Sequence, residues 1–306
     1  MSPSEEPPRR RSCAQMVVHE LLVETQPEYR ERRLEAEELT RESINTGEAQ
    51  RIVAKLVTIP VVVHVVLRDR SPNVTDAQIK GQIDSLNRDF RARNRDKTKV
   101  PAVWKGLVVD SKIQFALAKK DPRGRPTTGI TRTATTVAAF GPDDSVKSRS
   151  TGGVNPWPAD RYLNMWVCRL GGGLLGYAQF PGGPSETDGV VIRNTAFGTT
   201  GTAEPPFNLG RTGTHEVGHF LNLYHIWGLY DDCTGGDMVS DTPNAAGPNY
   251  GEPGFPQVSC NNGPNGDMFM NFMDYVDDRV MCMFTAQQVA RMMATLDGPR
   301  SALGRS

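Results

Sequence analysis

The stretch HEVGHFLNLYH, residues 215–225, places three histidines and one glutamate within eleven residues of a chain that has only five histidines in all. If this stretch begins as a helix, His215 and His219 are four residues apart and lie on the same face, one turn above the other. His225 is six residues beyond His219, and a continuing helix would rotate it away from that face. We therefore expect the helix to end and the chain to turn sharply, so that a third imidazole reaches the same point.

This spacing predicts a catalytic zinc site. Three protein nitrogens leave the fourth position of zinc open to water or substrate, whereas a structural site has four protein ligands, usually with cysteine among them. Bound zinc lowers the pKa of its water towards ~7 and polarises a peptide carbonyl group. Glu216 is expected to take the proton of that water and pass it to the leaving amine. Apart from one position, the spacing is the long zinc-protease signature; the alternative is a surface helix that carries His and Glu by chance.

Composition excludes other classes of function. Lys plus Arg and Asp plus Glu both number 35, and no basic array with aromatic residues is present, so we expect no nucleic-acid partner. The longest apolar run, residues 59–67, is interrupted by His64 and is too short to span a membrane. We expect His64 to be a core histidine rather than a ligand.

Residues 1–11 are rich in Pro, Glu and Arg and lack the apolar stretch of a secretory signal.

The secondary-structure pattern predicts an α/β half-domain that ends in the histidine helix. Strands are predicted at residues 57–66, 113–118, 162–168, 175–180 and 188–193. A helix is predicted after the first strand, because Thr75 and Gln78 form a capping box and apolar residues then recur at helical spacing. The histidine helix is expected to begin near residues 210–214. One early crossover helix, with strands that precede the histidine helix, is typical of an α/β arrangement.

Two regions differ from this half-domain. Residues 1–50 contain a highly charged helical stretch, 27–41, whose simplest interpretation is a solvated helix. Residues 231–265 are dominated by Gly, Pro, Asn and Asp, and a last helix opens at the capping box of Thr285 and Gln288.

The chain has five cysteines, so at least one is unpaired within it. Cys233 and Cys260 bracket part of the loop-rich region, and a disulfide there would contribute on the order of 3–4 kcal/mol. We favour this bridge, because a loop so poor in apolar residues needs another restraint; the alternative is two reduced thiols in a cytosolic protein. Cys168 and Cys282 are expected to be free.

Several motifs together resemble one known family. The histidine motif followed by NFMDY, residues 271–275, resembles a metzincin protease with its Met-turn. The LYH of residues 223–225, Cys233, the GDMVSDTP of residues 236–243 and the MDYVDD of residues 273–278 are similar to the pappalysin family, of the cytophagalysin type. The resemblance covers roughly residues 52–298.

The resemblance implies a metzincin-like α/β (α+β) fold. It would have a mixed twisted sheet with a backing helix and an active-site helix, followed by an irregular C-terminal subdomain with one helix. A pro-segment, residues 1–50, would precede the catalytic domain, residues 51–306. That domain would divide into an upper subdomain, residues 51–225, and a lower subdomain, residues 226–306.

The resemblance also implies roles for single residues. The zinc ligands would be His215, His219 and His225, and Glu216 would be the general base and acid. Met273 would lie beneath the metal, where the alternative is an ordinary core methionine. The hydroxyl of Tyr275 would stabilise the oxyanion of the tetrahedral intermediate, where the alternative is a core aromatic.

Two binding regions follow from the resemblance as well. Residues Leu174 to Phe180 are similar to an edge strand whose unpaired main-chain groups bind an extended peptide or protein substrate. The GDMVSDT stretch is similar to a calcium loop, in which Asp237 and Thr242 would supply side-chain oxygens and Gly236 and Ser240 would supply carbonyls. The alternative is a turn in which Asp237 and Thr242 bond their own backbone.

Members of this family carry a pro-segment, and Cys13 is a candidate latency switch. Its thiolate, favoured by Arg9 to Arg11, could occupy the open position of zinc until cleavage near Gln50–Arg51. The alternative is a stray cysteine in a flexible tail. Asn222 stands where metzincins carry glycine, and we expect it to adopt the left-handed turn that leads to His225.

The predicted function is therefore a latent, zinc-dependent endopeptidase. The resemblance and the disulfide indicate secretion, although this chain shows no signal peptide. The alternative is a zinc-bearing binding or adhesion module without turnover. The presence of Glu216 and Tyr275 favours the enzyme, since a binding module does not need a proton shuttle.

Overall fold

The computed structural model describes residues 8–46, 56–68 and 73–303, and the predicted cleavage position at Gln50–Arg51 lies outside these ranges. The helices are α1 (Gln15–Thr25), α2 (Pro27–Asn45), α3 (Asp76–Phe90), α4 (Arg211–Phe220) and α5 (Ala286–Asp297). The strands are β1 (Val57–Leu67), β2 (Ile113–Leu117), β3 (Ile130–Ala134), β4 (Leu163–Cys168), β5 (Gly176–Ala178), β6 (Val190–Arg193), β7 (Tyr250–Gly251) and β8 (Tyr275–Val276). Short 3₁₀ helices lie at Arg95–Lys99, Ala102–Leu107, Ser145–Lys147, Arg149–Thr151, Ser185–Thr187 and Asn194–Ala196.

The main sheet has the strand order β2-β1-β4-β6-β5, and β3 also pairs with β1. Strand β1 has eleven residues and pairs with two strands along the same side. Residues 57–61 pair with β2, and residues 63–67 pair with β3. The described pairs are parallel except for β5, which runs antiparallel to β6 and forms the edge. The sheet confirms the predicted mixed α/β architecture, and it adds β3, which the sequence analysis missed.

The alternation of β1 divides the core into two layers. One set of its side chains, Ile59, Val61, Val63 and Val65, belongs to a cluster that includes the apolar faces of α3, α4 and α5. The opposite side of the sheet, represented by Val66, Trp166 and Tyr177, forms a second cluster with Ala14, Val18 and Leu22 of the N-terminal region. Helix α1, which the sequence analysis did not predict, therefore covers part of the far face of the sheet.

The N-terminus of α3 differs from the predicted capping box. The Thr75 hydroxyl accepts a hydrogen bond from the Gln78 amide at 3.1 Å, as expected of an N-cap. The Gln78 side chain does not return to residue 75; it donates to the Phe197 carbonyl at 2.7 Å and to the Thr202 hydroxyl at 2.9 Å. The glutamine thus ties α3 to the loop that leads towards α4. The second predicted box, at Thr285 and Gln288, is present in full.

His64 is a core histidine, as predicted. Its two ring nitrogens form hydrogen bonds with the Thr131 hydroxyl at 2.8 Å and with the Asn164 side-chain oxygen at 3.0 Å. Burial lowers the pKa of His64 to about 4, so the ring is neutral at physiological pH. Both nitrogens are satisfied inside the sheet, and the residue is not available as a ligand.

Beyond His225 the chain is irregular, with the two-residue ladder of β7 and β8 and the single helix α5. Cys233 and Cys260 form the predicted disulfide, and Cys13, Cys168 and Cys282 are free. None of the helices in the described ranges is long and apolar enough to cross a lipid bilayer.

Candidate metal centre

Helix α4 ends where the chain must turn towards the third histidine. Asn222 has a φ of 74°, and its backbone amide donates to the His219 carbonyl at 2.9 Å. The Leu223 amide donates back to the Gly218 carbonyl at 3.0 Å, which closes the last turn. The predicted left-handed turn at Asn222 is therefore present. Asparagine tolerates this conformation better than other residues that carry a Cβ.

This turn brings the three imidazoles together. The Nε2 atom of His219 lies 3.1 Å from Nε2 of His215 and 3.1 Å from Nε2 of His225. The Nδ1 atoms of His215 and His219 each lie 2.7 Å from a main-chain carbonyl, of Phe272 and Leu223 respectively. Carbonyl oxygens only accept, so these two Nδ1 atoms carry the protons and their Nε2 atoms present lone pairs.

The three rings are buried and neutral. Burial lowers the pKa of His219 to about 3, and burial and the neighbouring histidines lower the pKa values of His215 and His225 well below the ordinary value. The Nε2 lone pairs of His215 and His219, which face each other across 3.1 Å, repel unless a cation lies between them. In the described part of the chain, this is the one group of three or more His, Cys, Asp or Glu ligand atoms close enough to share an ion. The residues fit a metal ion with nitrogen ligands.

Cys13 of the N-terminal segment is the fourth member of the group. Its Sγ and the three histidine nitrogens all lie within 4.8 Å of one another. Sγ also lies 3.3 Å from Oε2 of Glu216 and accepts a hydrogen bond from the Gln15 amide at 3.4 Å. Burial, and then the charge of Glu216, raise the pKa of the Cys13 thiol, and the opposing effect of Arg11 is smaller. Arg11 favours the thiolate, as predicted, but burial and Glu216 outweigh it; a bound metal would deprotonate the thiol.

Glu216 lies between the imidazoles and the edge strand. It is buried, and burial raises its pKa to about 8 against the opposing effects of the Cys13 hydrogen bond and the Arg11 charge. Gly176 of β5 makes room for it: a Cβ at that position would lie 2.7 Å from Oε1 of Glu216. The carboxylate therefore faces the same space as the Cys13 sulfur.

Met273 packs against helix α4, and Tyr275 lies beside the histidines and Cys13. A Cβ at Gly218 would lie 2.5 Å from Sδ of Met273, so the methionine packs directly against the backbone of α4. The Tyr275 ring is 4.9 Å from the His225 ring, and its hydroxyl donates to the Cys13 carbonyl at 3.2 Å. Tyr275 is thus beside the metal centre, where its hydroxyl can reach a main-chain oxygen bound in the cleft.

The N-terminal segment occupies the free edge of β5. The Leu175 amide donates to the Ser12 carbonyl at 2.9 Å, and the Ala14 amide donates to the Gly176 carbonyl at 3.1 Å. These bonds place residues 12–14 parallel to β5, along the predicted edge strand of residues 174–180. The edge therefore binds an extended chain by its main-chain groups.

A pocket beside this edge holds the side chain of Arg11. The guanidinium group pairs with the buried carboxylate of Asp278 at 2.6 Å and donates to the Thr212 hydroxyl at 3.0 Å. Its Nε donates to the Val276 carbonyl at 3.2 Å, and its charge lies 5.0 Å from the centre of the Phe207 ring. The sequence analysis did not assign this pocket. A usable signal was the two-residue spacing to Cys13, because residues i and i+2 of an extended chain point the same way.

Helix α2 is anchored to the turn at Asn222. Arg33 donates to the Asn222 side-chain oxygen at 2.9 Å and to the Tyr224 hydroxyl at 2.8 Å. Glu37 accepts two 2.6 Å hydrogen bonds from Arg291, whose Nε donates to the Asn222 carbonyl at 2.6 Å. The stretch predicted to be a solvated helix is therefore partly buried through Tyr29, Arg33, Ala36 and Thr40.

Replacing Glu37 with glutamine should destabilise the full-length chain by about 2 kcal/mol, because the nearly buried Arg291 would lose its carboxylate partner. The measurement is the urea midpoint of the full-length protein, analysed with an unchanged m-value. Glu38→Gln is the matched control, since Glu38 is exposed and pairs only with the exposed Arg41. Equal midpoints for the two variants would show that the Glu37 pair does not hold the helix.

The predicted calcium ligands are only partly brought together. The Thr242 hydroxyl lies 2.8 Å from both carboxylate oxygens of Asp237. The amide and hydroxyl of Ser240 bind the Gln287 side chain instead. Burial raises the pKa of Asp237 to about 7, so a cation would have to offset that cost. Calcium at Asp237, Thr242, Gly236 and Ser240 stays a prediction.

Comparisons with known proteins place this geometry in a family. Residues 151–297 match the peptidase family described as pregnancy-associated plasma protein-A. An extracellular metalloprotease of Arthroderma otae is 33% identical over 246 residues, which cover 77% of this chain and 76% of the relative. An extracellular metalloprotease of Colletotrichum graminicola is 32% identical over 247 residues, which cover 78% of this chain and 76% of the relative.

Solved structures give the same result. A glutamate-to-alanine mutant of promirolysin from Tannerella forsythia is 43% identical, with a TM-score of 0.88 over 96% of this chain and 97% of that one. Mature mirolysin in complex with a cleaved peptide is 48% identical, with a TM-score of 0.80 over 82% of this chain and 96% of that one. The resemblance of the sequence motifs is confirmed. This protein is a metallopeptidase that belongs to the pappalysin family of metzincin-like metalloproteases.

Proposed function

We propose that the protein is a secreted, zinc-dependent endopeptidase made as a latent zymogen. The observation that carries the proposal is the convergence of the Nε2 atoms of His215, His219 and His225 beside the buried side chain of Glu216. Zinc, held by these nitrogens, supplies a Lewis acid that polarises a peptide carbonyl and lowers the pKa of water. The names of the relatives, extracellular metalloproteases, support secretion. A binding or adhesion module without turnover is less well supported, because the family is one of peptidases.

Other groups of the cleft bind the substrate main chain, transfer the proton and stabilise the oxyanion. The free edge of β5 binds the substrate main chain, as it binds residues 12–14 here. Glu216 accepts a proton from the attacking water and returns it to the leaving amine. The Tyr275 hydroxyl, which donates to the Cys13 carbonyl in this structure, donates to the oxyanion of the substrate. Calcium, bound near Asp237 and Thr242, would have a structural role away from this chemistry.

We attribute the latent state to the N-terminal segment, residues 1–50. This segment precedes the catalytic domain of residues 51–306. Its described part fills the β5 edge and places Cys13 beside the three histidines. Promirolysin covers 96% of this chain and mature mirolysin covers 82%, a difference close to the length of the proposed pro-segment. Activation therefore requires removal of that segment by cleavage near Gln50–Arg51.

The Arg11 pocket supports a substrate preference. A buried carboxylate on Asp278, a hydroxyl and a main-chain carbonyl together satisfy a guanidinium group. Once the segment leaves, Asp278 is a buried anion without that partner, and an arginine side chain of a substrate restores it. We therefore propose peptides with arginine next to the scissile bond as substrates.

The test is hydrolysis of a peptide library by the full-length protein after limited proteolysis has removed the N-terminal segment. We expect cleavage next to arginine, loss of activity with a chelator that removes zinc, and recovery on adding zinc back. Elemental analysis should find one zinc per chain. Activity that persists in the metal-free protein would contradict the proposal, and cleavage without regard to arginine would contradict the proposed role of Asp278.

A further inference from the structure

Arg10 occupies a second position in the cleft, next to the Asp278 pocket. Its guanidinium carbon lies 5.1 Å from the centre of the Tyr250 ring, within the distance of a cation–π contact. Tyr250 is 39% exposed and is not needed to bury the core. The ring therefore presents a free aromatic face to whatever chain lies in the cleft.

The ladder of β7 and β8 fixes Tyr250 beside the metal centre. Tyr250 pairs directly with Tyr275, and the two rings are 6.0 Å apart. The adjacent loop is also tied down, since the Asn249 amide and side chain both donate to Asp274, at 2.8 and 2.9 Å. Tyr250 is thus held in place by groups that remain when the N-terminal segment is gone.

The charges around Tyr250 suit a cation. Burial raises the pKa of the Tyr250 hydroxyl, the charges of Asp231 and Asp274 raise it further, and Arg10 lowers it. The hydrogen bonds of Asp274 to Asn249 and to the Tyr275 amide use its carboxylate, whereas Asp231 lies on the exposed loop. The aromatic face and the Asp231 carboxylate both favour a positive side chain.

The two arginines are neighbours in the chain and point in different directions. The chain bends at residues 9 and 10, and Arg11 enters the pocket and is 2% exposed while Arg10 stays outside on the Tyr250 ring. A peptide that follows the path of residues 10–13, with one basic side chain in the Asp278 pocket, places its next residue on the side away from the metal centre near Tyr250.

Building on the proposed endopeptidase function, we propose that Tyr250 is a specificity-determining residue that selects a second basic side chain. The preferred substrates then carry two consecutive basic residues, one in the Asp278 pocket and its neighbour on the Tyr250 ring. An exposed cation–π contact of this kind corresponds to roughly a twofold to fivefold preference.

The first test compares peptides that differ only at the residue next to the pocket arginine, which is Arg, Ala or Glu. The enzyme is the full-length protein after limited proteolysis. We expect kcat/KM for Arg to exceed that for Ala about twofold to fivefold in the wild type and in Tyr250→Phe, which keeps the aromatic face. In Tyr250→Leu the ratio of the two kcat/KM values should fall to about one, whatever the absolute rate. Phe255→Leu, at another exposed aromatic, is the matched control.

The second test measures binding, so that it does not depend on catalysis. A labelled peptide of residues 8–16, with Arg10 or with Arg10→Ala, is titrated against the activated wild type and against Tyr250→Leu. In a double-mutant cycle, Arg10→Ala should weaken binding about twofold to fivefold on the wild type and have no effect on Tyr250→Leu. The same loss on both proteins would overturn the Tyr250 proposal. If no peptide were hydrolysed but the coupling were present, the proposed function would fail and the subsite would stand.

Discussion

Replacing Glu216 with glutamine should lower kcat/KM of the activated protein by roughly 10²–10⁴-fold, while zinc stays bound. Glutamine keeps the shape of the side chain but cannot accept the proton of an attacking water. The proposed metal ligands are imidazole nitrogens, and two of the rings are oriented by hydrogen bonds to the Phe272 and Leu223 carbonyls. These contacts do not involve Glu216, so the site should keep its metal. Peptide hydrolysis and elemental analysis, measured on the same samples, separate the two effects.

The control for this experiment is Glu186→Gln, at an exposed glutamate in a short 3₁₀ helix outside the cleft. It should retain the activity and the zinc of the wild type. If Glu216→Gln kept wild-type hydrolysis, another group would have to be the base. If it lost zinc together with activity, Glu216 would maintain the metal centre rather than transfer a proton.

The sequence analysis predicted the elements whose formation depends on residues close to one another in the chain. The five predicted strands are β-branched or alternating, and the histidine helix and its turn follow from the spacing of residues 215–225. Strand β3 was missed because its sequence, ITRTA, is half exposed and polar, and it becomes a strand by pairing with the second half of β1. Its formation depends on a partner more than 60 residues away in the chain, which no local pattern reveals.

In the N-terminal region, too, contacts between residues that are distant in the chain were not predicted from the sequence. Composition alone marked α2 as a solvated helix, yet Arg33 and Glu37 reach Asn222, Tyr224 and Arg291 across the fold. A charged residue is predicted to be exposed unless its partner is known, and these partners are distant in sequence. The Asp278 pocket was likewise hidden, because its character appears only when α4, the segment after the Met-turn and Arg11 are brought together.

Asn222 contributes both to the turn that leads to His225 and to the docking of helix α2. Its backbone provides the left-handed turn that the histidine spacing requires, and its side chain receives Arg33 of α2. The turn that positions His225 is therefore also the docking point of the N-terminal helix. The N-terminal segment consequently has two anchors, Arg11 and residues 12–14 in the cleft and α2 at the turn, in addition to its thiol.

Replacing Cys13 with serine in the full-length chain should raise its activity at least ~10-fold without proteolysis, if the thiol contributes ~1.4 kcal/mol or more to holding the segment at the metal centre. Serine preserves the size of the side chain but is a poor zinc ligand, since soft thiolate sulfur is the preferred one. The measurement is hydrolysis of an arginine-containing peptide by the intact chain, with mass spectrometry to show that residues 1–50 are still attached.

Ser12→Ala is the matched control for this experiment, because Ser12 contributes its carbonyl to the β5 edge and no side-chain hydrogen bond is formed by its hydroxyl in the described structure. It should remain latent. The rise in Cys13→Ser should stop short of the activity of the cleaved enzyme, because Arg11 still occupies the Asp278 pocket and Glu37 still pairs with Arg291. Full activity in the uncleaved variant would mean that these contacts do not exclude substrate. Unchanged latency would mean that they suffice, and that the sulfur beside the three histidines is not the switch.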